Sequence, residues 1–438
     1  MLLNAADKAL WRLALPMIFS NITVPLLGLV DTAVIGHLDR PVYLGGVAVG
    51  ATATSFLFML LLFLRMSTTG LTAQAWGAKD PLRLARALVQ PLALALGAGV
   101  LIILLRLPLI DLALHIVGGS EAVLEQARRF LEIRWLSAPA SLANLVLLGW
   151  LLGVQYARAP VILLVVGNLL NIMLDLWLVM GLRMNVQGAA LATVTAEYAT
   201  LIIGLMMAKR VLTLRGVSLA MLKNAWRGDL RRLLALNRDI MLRSLLLQLC
   251  FGALTVFGAR LGSDIVAVNA VLMTMLTFTA YALDGFAYAV EAHSGQAYGA
   301  RDGSQLLEVW RAACRQSGMV ALAFALIYSL AGQYIIALLT SLPSLQQLAD
   351  RYLIWQTILP VVGVWCYLLD GMFIGATRGA EMRNSMAVAA AGFAVTLLTL
   401  PVLGNHGLWL ALAVFLALRG LSLALIWRRH WRRGTWFS

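Results

Sequence analysis

Charge is the scarcest thing in this chain. Only 12% of its 438 residues are Asp, Glu, Lys or Arg, against 61% hydrophobic, and the mean hydropathy is +0.86. Too few polar side chains exist to cover a water-facing surface, so a soluble globular protein is excluded and the lipid bilayer is the expected solvent. Cysteine is nearly absent too. Cys250, Cys314 and Cys366 lie in or beside apolar segments at no metal-ligand spacing, and they read as small core fillers. No G-x-x-x-x-G-K-[ST] occurs and no lysine follows a glycine, which argues against an ATPase on this chain. H-E-x-x-H and G-x-S-x-G are missing as well, and the five histidines scatter near the ends of apolar segments. No metal, no cofactor and no enzymatic activity are therefore expected. The alternating ten-residue strands of a membrane β-barrel are also lacking.

What is present is length and apolarity in the right units. A spanning helix needs roughly 20 apolar residues, and twelve such segments can be placed: about 12–37, 44–72, 89–114, 132–153, 159–182, 186–208, 235–261, 265–292, 314–340, 351–374, 384–403 and 406–427. The first is too long for a signal peptide and reads as an uncleaved span. An all-α integral membrane protein is the implied class.

The chain also says nearly the same thing twice. Ala73-Gln74-Ala75-Trp76-Gly77-Ala78-Lys79-Asp80 returns as Gly295-Gln296-Ala297-Tyr298-Gly299-Ala300-Arg301-Asp302, 222 residues later, and Gly153 maps onto Gly375. A half-chain repeat in so apolar a sequence marks a transporter of two related helix bundles. The expected organisation is an N-terminal lobe over 1–208, a basic linker over 209–234, a C-terminal lobe over 235–427 and a basic tail over 428–438.

The net charge of +14 suggests nucleic acid at first sight, and its distribution argues otherwise. With twelve spans, the side holding both termini collects 23 of the 34 Lys and Arg, the other side eight, and Arg65, Arg243 and Arg419 fall within spans. The positive-inside rule puts both termini in the cytoplasm. The run Arg428-Arg429-His430-Trp431-Arg432-Arg433 reads as an anchor to anionic membrane lipid.

Acids inside spans are costly and point to function. At 1.5 Å per residue, Asp31 lies about 9 Å from the outer end of span 1, and Asp175 and Thr193 about 10 Å from the outer ends of spans 5 and 6. Asn171 stands one turn deeper than Asp175 on the same helical face. Carboxylate, amide and hydroxyl oxygens at one depth suit a hard cation. Equally, a partly dry cavity beside a second carboxylate favours the protonated acid, which makes a workable proton carrier. Glu197, nearer mid-span, is a candidate relay. In the second half, Tyr281, Asp284, Tyr288 and Glu291 form one stripe on span 8. Asp284 and Asp370 sit about 28 and 30 Å from the outer surface, placed either to line an inner vestibule or to pair with Arg65 or Arg243. Pro16 and Pro25 each remove a backbone hydrogen bond from span 1, which makes that helix prone to bending.

Leu15-Pro16, Asp31-Thr32, Gly36, Gln74-Ala75-Trp76-Gly77-Ala78 and Gly188-Ala189-Ala190-Leu191-Ala192-Thr193 resemble the multidrug and toxic compound extrusion (MATE) family. More closely, the chain resembles its DinF branch, the DNA-damage-inducible bacterial members. The resemblance covers essentially all 438 residues. It implies a V-shaped, twelve-helix antiporter of the bacterial inner membrane, monomeric, exporting amphipathic or cationic small molecules against inward H⁺ or Na⁺. H⁺ is favoured here. By motif position the cation site falls on Asp31, Asn171, Asp175 and Thr193, with Asn144 nearby. The glutamate that another branch carries on span 7 has no counterpart, since that span offers only Asp239 and Gln248. Two alternatives stay open: a Na⁺-coupled exporter of the same fold, and a lipid-linked precursor flippase, which would need a strongly basic cavity for pyrophosphate.

Overall fold

The structure, a computed structural model, describes residues 3–36, 38, 41–228 and 230–438, without the side chains of 24–33, 36 and 41. Two compact units emerge, Ile22–Leu233 and Met1–Asn21 with Leu234–Ser438, so the boundary falls inside the first helix. That helix, α1 (Ala5–Gly36), runs without interruption through both Pro16 and Pro25. The first unit continues with α2 (Pro41–Leu60), α3 (Phe63–Gly77), α4 (Pro81–Leu104), α5 (Arg106–Val117), α6 (Glu121–Arg134), α7 (Ala138–Gly153), α8 (Ala159–Asp175), α9 (Asn185–Leu214) and α10 (Leu219–Ala225). The second holds α11 (Leu230–Arg260), α12 (Ser263–Ala300), α13 (Gly303–Leu339), α14 (Pro343–Gly375), α15 (Gly379–Thr396), α16 (Leu400–Leu403) and α17 (Asn405–Arg433).

Among the described residues eleven helices or helix pairs are long and apolar enough to cross a membrane, and they match eleven of the twelve expected spans. The twelfth expected span is that of α1, part of which lies outside the described side chains. The span expected over 89–114 is corrected: α4 starts earlier and stops at Leu104, and α5 is a separate helix. Pro108 has no N–H for the carbonyl of Leu104, four residues back, so the ladder breaks there. The early start has its own cause. Asp80 caps the helix by accepting the Arg83 amide at 3.3 Å, with Pro81 in the first turn. Leu330, Leu338 and Val402 are 81%, 87% and 86% exposed, a surface that hydrocarbon solvates and water does not.

The repeat survives in backbone detail. Lys79 and Arg301 both end a helix with positive φ (54° and 53°), and Asp80 and Asp302 both cap the next one. Gln155 and Thr377 repeat the left-handed conformation at 63° and 55°. Helix packing repeats as well. A Cβ on Gly149 of α7 would sit 2.5 Å from the Arg65 carbonyl of α3, and one on Gly371 of α14 would sit 2.6 Å from the Ala287 carbonyl of α12. One turn on, Gly153 meets Thr72 and Gly375 meets Ser294. All four pairs keep the 222-residue offset. Glycines four apart let two helix backbones approach closely, which is how helices associate where hydrophobic force is absent. Trp150 and Trp409 are fully buried, one in each core, and their indole N–H groups stay bonded. Trp150 donates to the Leu84 carbonyl at 3.1 Å, and Trp409 to Asn269 Oδ1 at 3.1 Å.

Candidate cation and polar sites

In the Ile22–Leu233 unit the site is built by the turn between α8 and α9. At Asp175 the α-helix gives way to one π-helical turn, Leu176–Gly181, whose exit is marked by the i→i−5 bond from the Leu182 amide to the Trp177 carbonyl at 2.9 Å. Such π turns recur at functional positions. Arg183 and Asn185 then take positive φ (55° and 57°) to reverse the chain. The small residues that follow explain how α9 reaches the turn. A Cβ on Gly188 would lie 3.2 Å from the Leu178 carbonyl, and Ala189 and Ala190 are fully buried. This close approach carries Thr193 to Asn171, with 3.5 Å between Thr193 Oγ1 and Asn171 Oδ1; the same hydroxyl lies 3.2 Å from the Ala189 carbonyl.

Asp175 is completely buried and Asn171 is 3% exposed. The structure therefore brings Asn171, Asp175 and Thr193 to one helix pair. Asp31 lies on α1, and its side chain, like that of Pro25, is outside the described residues. One carboxylate, one amide carbonyl and one hydroxyl form an oxygen set able to hold a hard cation or a proton. Among the described residues no three His, Cys, Asp or Glu side chains gather as a metal site would require.

Glu197 extends the same face of α9, one turn beyond Thr193. It pairs with Arg134 at 3.1 Å and accepts a hydrogen bond from Ser141. Asn144 donates to the Glu197 carbonyl at 3.1 Å, so it joins Glu197. Arg134 and Ser141 were not singled out from sequence. Arg134 ends α6, a position where arginine is ordinarily solvated, yet its side chain is only 12% exposed.

The second unit buries a different chemistry. Asp370 on α14 accepts from Arg243 of α11 at 2.6 Å and from Arg419 of α17, and all three residues are at most 7% exposed. Of the two roles weighed for Asp370, its geometry is that of an ion pair. Both guanidiniums are thereby engaged by one carboxylate. Asp284 is half-buried on α12, within electrostatic reach of Cys366 and Tyr367 on α14. Tyr281, a turn away, accepts through its carbonyl from Asn21 of α1 at 3.1 Å. Pro16 is half-buried, and beside it a Cβ on Gly285 would meet the Ile18 amide at 3.0 Å and the Ala14 carbonyl at 3.1 Å.

The N-terminal end of α1 is anchored in the same unit. Asn4 and Asp7 cap the helix reciprocally, at 2.8 and 3.3 Å. Asp7 pairs with Arg315 at 3.0 Å. Burial pushes its carboxyl up, but the Arg315 bond and charge and the Asn4 contact outweigh that and hold it below its ordinary value. Trp11 donates to Gln316 at 2.9 Å.

Comparison with known proteins follows the duplication. The profile of the MatE family matches residues 16–177 and again 240–403. "DNA damage-inducible protein F" of Escherichia coli (strain K12) is 86% identical over 436 residues, covering 100% of this chain and 95% of that protein. "Probable multidrug resistance protein NorM" of Acinetobacter baylyi is 23% identical, over 96% of this chain and 94% of the relative. Among solved structures, a MATE protein in the bent conformation superposes with a TM-score of 0.84 at 23% identity, covering 98% and 96% of the two chains. An outward-facing MATE transporter gives 0.82 at the same identity and coverage. At that identity the likeness is one of fold.

Proposed function

The chain belongs to the MatE family, and from that premise we propose that it is a secondary active exporter of amphipathic or cationic small molecules, driven by inward H⁺. Its place is the bacterial inner membrane, with both termini in the cytoplasm and the monomer as working unit. The DNA-damage-inducible name of the Escherichia coli relative suggests production under genotoxic stress. The observation that carries the coupling reading is the fully buried Asp175 at the α-to-π junction, one turn from the Asn171–Thr193 contact.

In this reading Asp31 and Asp175 carry the proton while Asn171 and Thr193 order the site. Protonation from outside reshapes the cavity and releases substrate, and deprotonation toward the cytoplasm resets it. A ligand shifts such an equilibrium only by binding its two states differently, so substrate and proton compete. Na⁺ in place of H⁺ would use the same oxygens.

The test is fluorescent-cation transport in proteoliposomes, with ΔpH and ΔNa⁺ imposed separately on wild type, Asp31→Asn and Asp175→Asn. Transport driven by ΔpH and lost in both variants supports proton coupling at this site. Transport driven by ΔNa⁺ alone changes the ion, and full ΔpH-driven activity in either variant removes that residue from the coupling site.

A further inference from the structure

The last two turns of α17 present a basic outward face. Leu421 and Leu425 are 56% and 57% exposed, and their stripe continues along the helix as Arg428, Arg429, Arg432 and Arg433, all exposed. The opposite face packs inward. Leu423 is buried, Trp427 stacks on Trp431 at 5.6 Å, and Trp310 of α13 lies 6.0 Å from Trp427. Leu425 and the four arginines line a groove of ≈ 370 Å³. Among the described residues no carboxylate pairs with any of the four. Glu381, an acid that does reach α17, is engaged by His430 at 2.9 Å and by Arg378 at 3.0 Å.

This face is held from behind. Gly434 takes positive φ (66°) to close the helix, and the Thr435 amide bonds to the His430 carbonyl at 2.9 Å. The chain then turns back onto its own unit. Trp436 is buried with its ring 5.1 Å from that of Phe373, and Arg378 donates to the Thr435 and Trp436 carbonyls at 3.0 and 2.7 Å. These contacts fix the rotation of the helix end and leave its arginines pointing outward. The duplication does not demand their charge. At the same i, i+1, i+4, i+5 spacing the end of α9 carries Lys209, Arg210, Thr213 and Leu214, one basic pair instead of two.

We infer that the end of α17 binds an anionic phospholipid whose headgroup carries two phosphates. Indole rings settle at the headgroup level of a bilayer, so Trp310, Trp427 and Trp431 mark the membrane interface. The arginines stand at that level, and Leu421 and Leu425 lead away from them as an apolar track for an acyl chain. Arg428 with Arg432, and Arg429 with Arg433, form two pairs one turn apart, about 6 Å along the axis. Guanidiniums present planar N–H forks matched to phosphate oxygens, so each pair suits one phosphate. The apolar track selects a lipid over free phosphate. In the topology proposed above the site faces the inner leaflet, where basic clusters beside membrane helices take anionic headgroups. The inference does not depend on the coupling ion or on the transported substrate.

The test is native mass spectrometry of the purified full chain with tetraoleoyl cardiolipin, dioleoyl phosphatidylglycerol or dioleoyl phosphatidylcholine, with and without millimolar inorganic phosphate. Wild type should bind cardiolipin, with its two phosphates, most tightly and the zwitterionic lipid least, and phosphate should displace neither anionic lipid. Arg428→Gln/Arg432→Gln and Arg429→Gln/Arg433→Gln should each weaken cardiolipin binding about tenfold or more, given about 1 kcal/mol per basic residue near a membrane surface. Lys209→Gln/Arg210→Gln removes the same charge from exposed positions on α9 and should leave this binding unchanged. Arg428→Lys/Arg432→Lys keeps every charge and removes the planar forks, so it should weaken binding several-fold; it carries the test if a glutamine variant misfolds. Losses that follow net charge alone, equal in the α9 variant or absent in the lysine variant, would overturn the site. Equal binding of cardiolipin and phosphatidylglycerol would overturn the two-phosphate assignment, and displacement by inorganic phosphate would overturn the lipid as ligand.

Discussion

Replacing Asp370 by Asn removes one negative charge from between two buried guanidiniums and changes little else. Arg243 and Arg419 are 6% and 4% exposed, so neither can turn to water once its partner is neutral. Removing one member of a buried ion pair costs about 3–5 kcal/mol, because the remaining charge is left uncompensated. With two guanidiniums on one carboxylate, the upper part of that range is expected. Arg243→Met should cost less, since Asp370 keeps Arg419. The decisive measurement is a double-mutant cycle by thermal or denaturant unfolding in detergent. Arg419→Met should be destabilising in wild type and stabilising on the Asp370→Asn background, with a coupling of about 1–3 kcal/mol. Asp370→Asn that unfolds within about 1 kcal/mol of wild type yet loses transport would refute the structural assignment and return Asp370 to the transport pathway. Additive costs for Asp370 and Arg419 would refute the pairing itself.

The glycine pairs give a symmetric prediction: Gly149→Ala and Gly371→Ala each drive a methyl into a facing carbonyl, so each should destabilise by about 1–3 kcal/mol, measured by unfolding of the purified variants. Equal tolerance of both would contradict the packing register. Asp7 supplies a pH dependence. Its carboxyl is held below the ordinary 3.8 in the fold, so its stabilisation is present at neutral pH and is lost as pH falls through the lowered value. Unfolding temperatures of wild type and Asp7→Asn should therefore differ at pH 7 and converge once the pH has fallen through that lowered value.

Spacing along the chain made part of the polar layer legible and hid the rest. Asn171 and Asp175 are four residues apart on one helix, and helical geometry alone sets them on one face. The approach of Asn171 to Thr193 depends on a π turn and on two left-handed residues, Arg183 and Asn185, for which the local sequence gives no warning. Arg134 escaped notice because a helix-end arginine is ordinarily solvated, and only packing shows it folded inward onto Glu197.

The sequence by itself determined the solvent, the helical class, the existence and order of eleven of the spans, and the duplication. Each of these follows from composition or period, quantities that do not depend on what the chain folds against. Tertiary structure alone decided which charges neutralise one another. Whether Asp370 meets Arg65, Arg243 or Arg419 is a matter of helix rotation and neighbour choice, and hydropathy carries no record of either. It also decided that α1 divides between the units at Asn21, since an unbroken helix bears no mark of the partners it packs against.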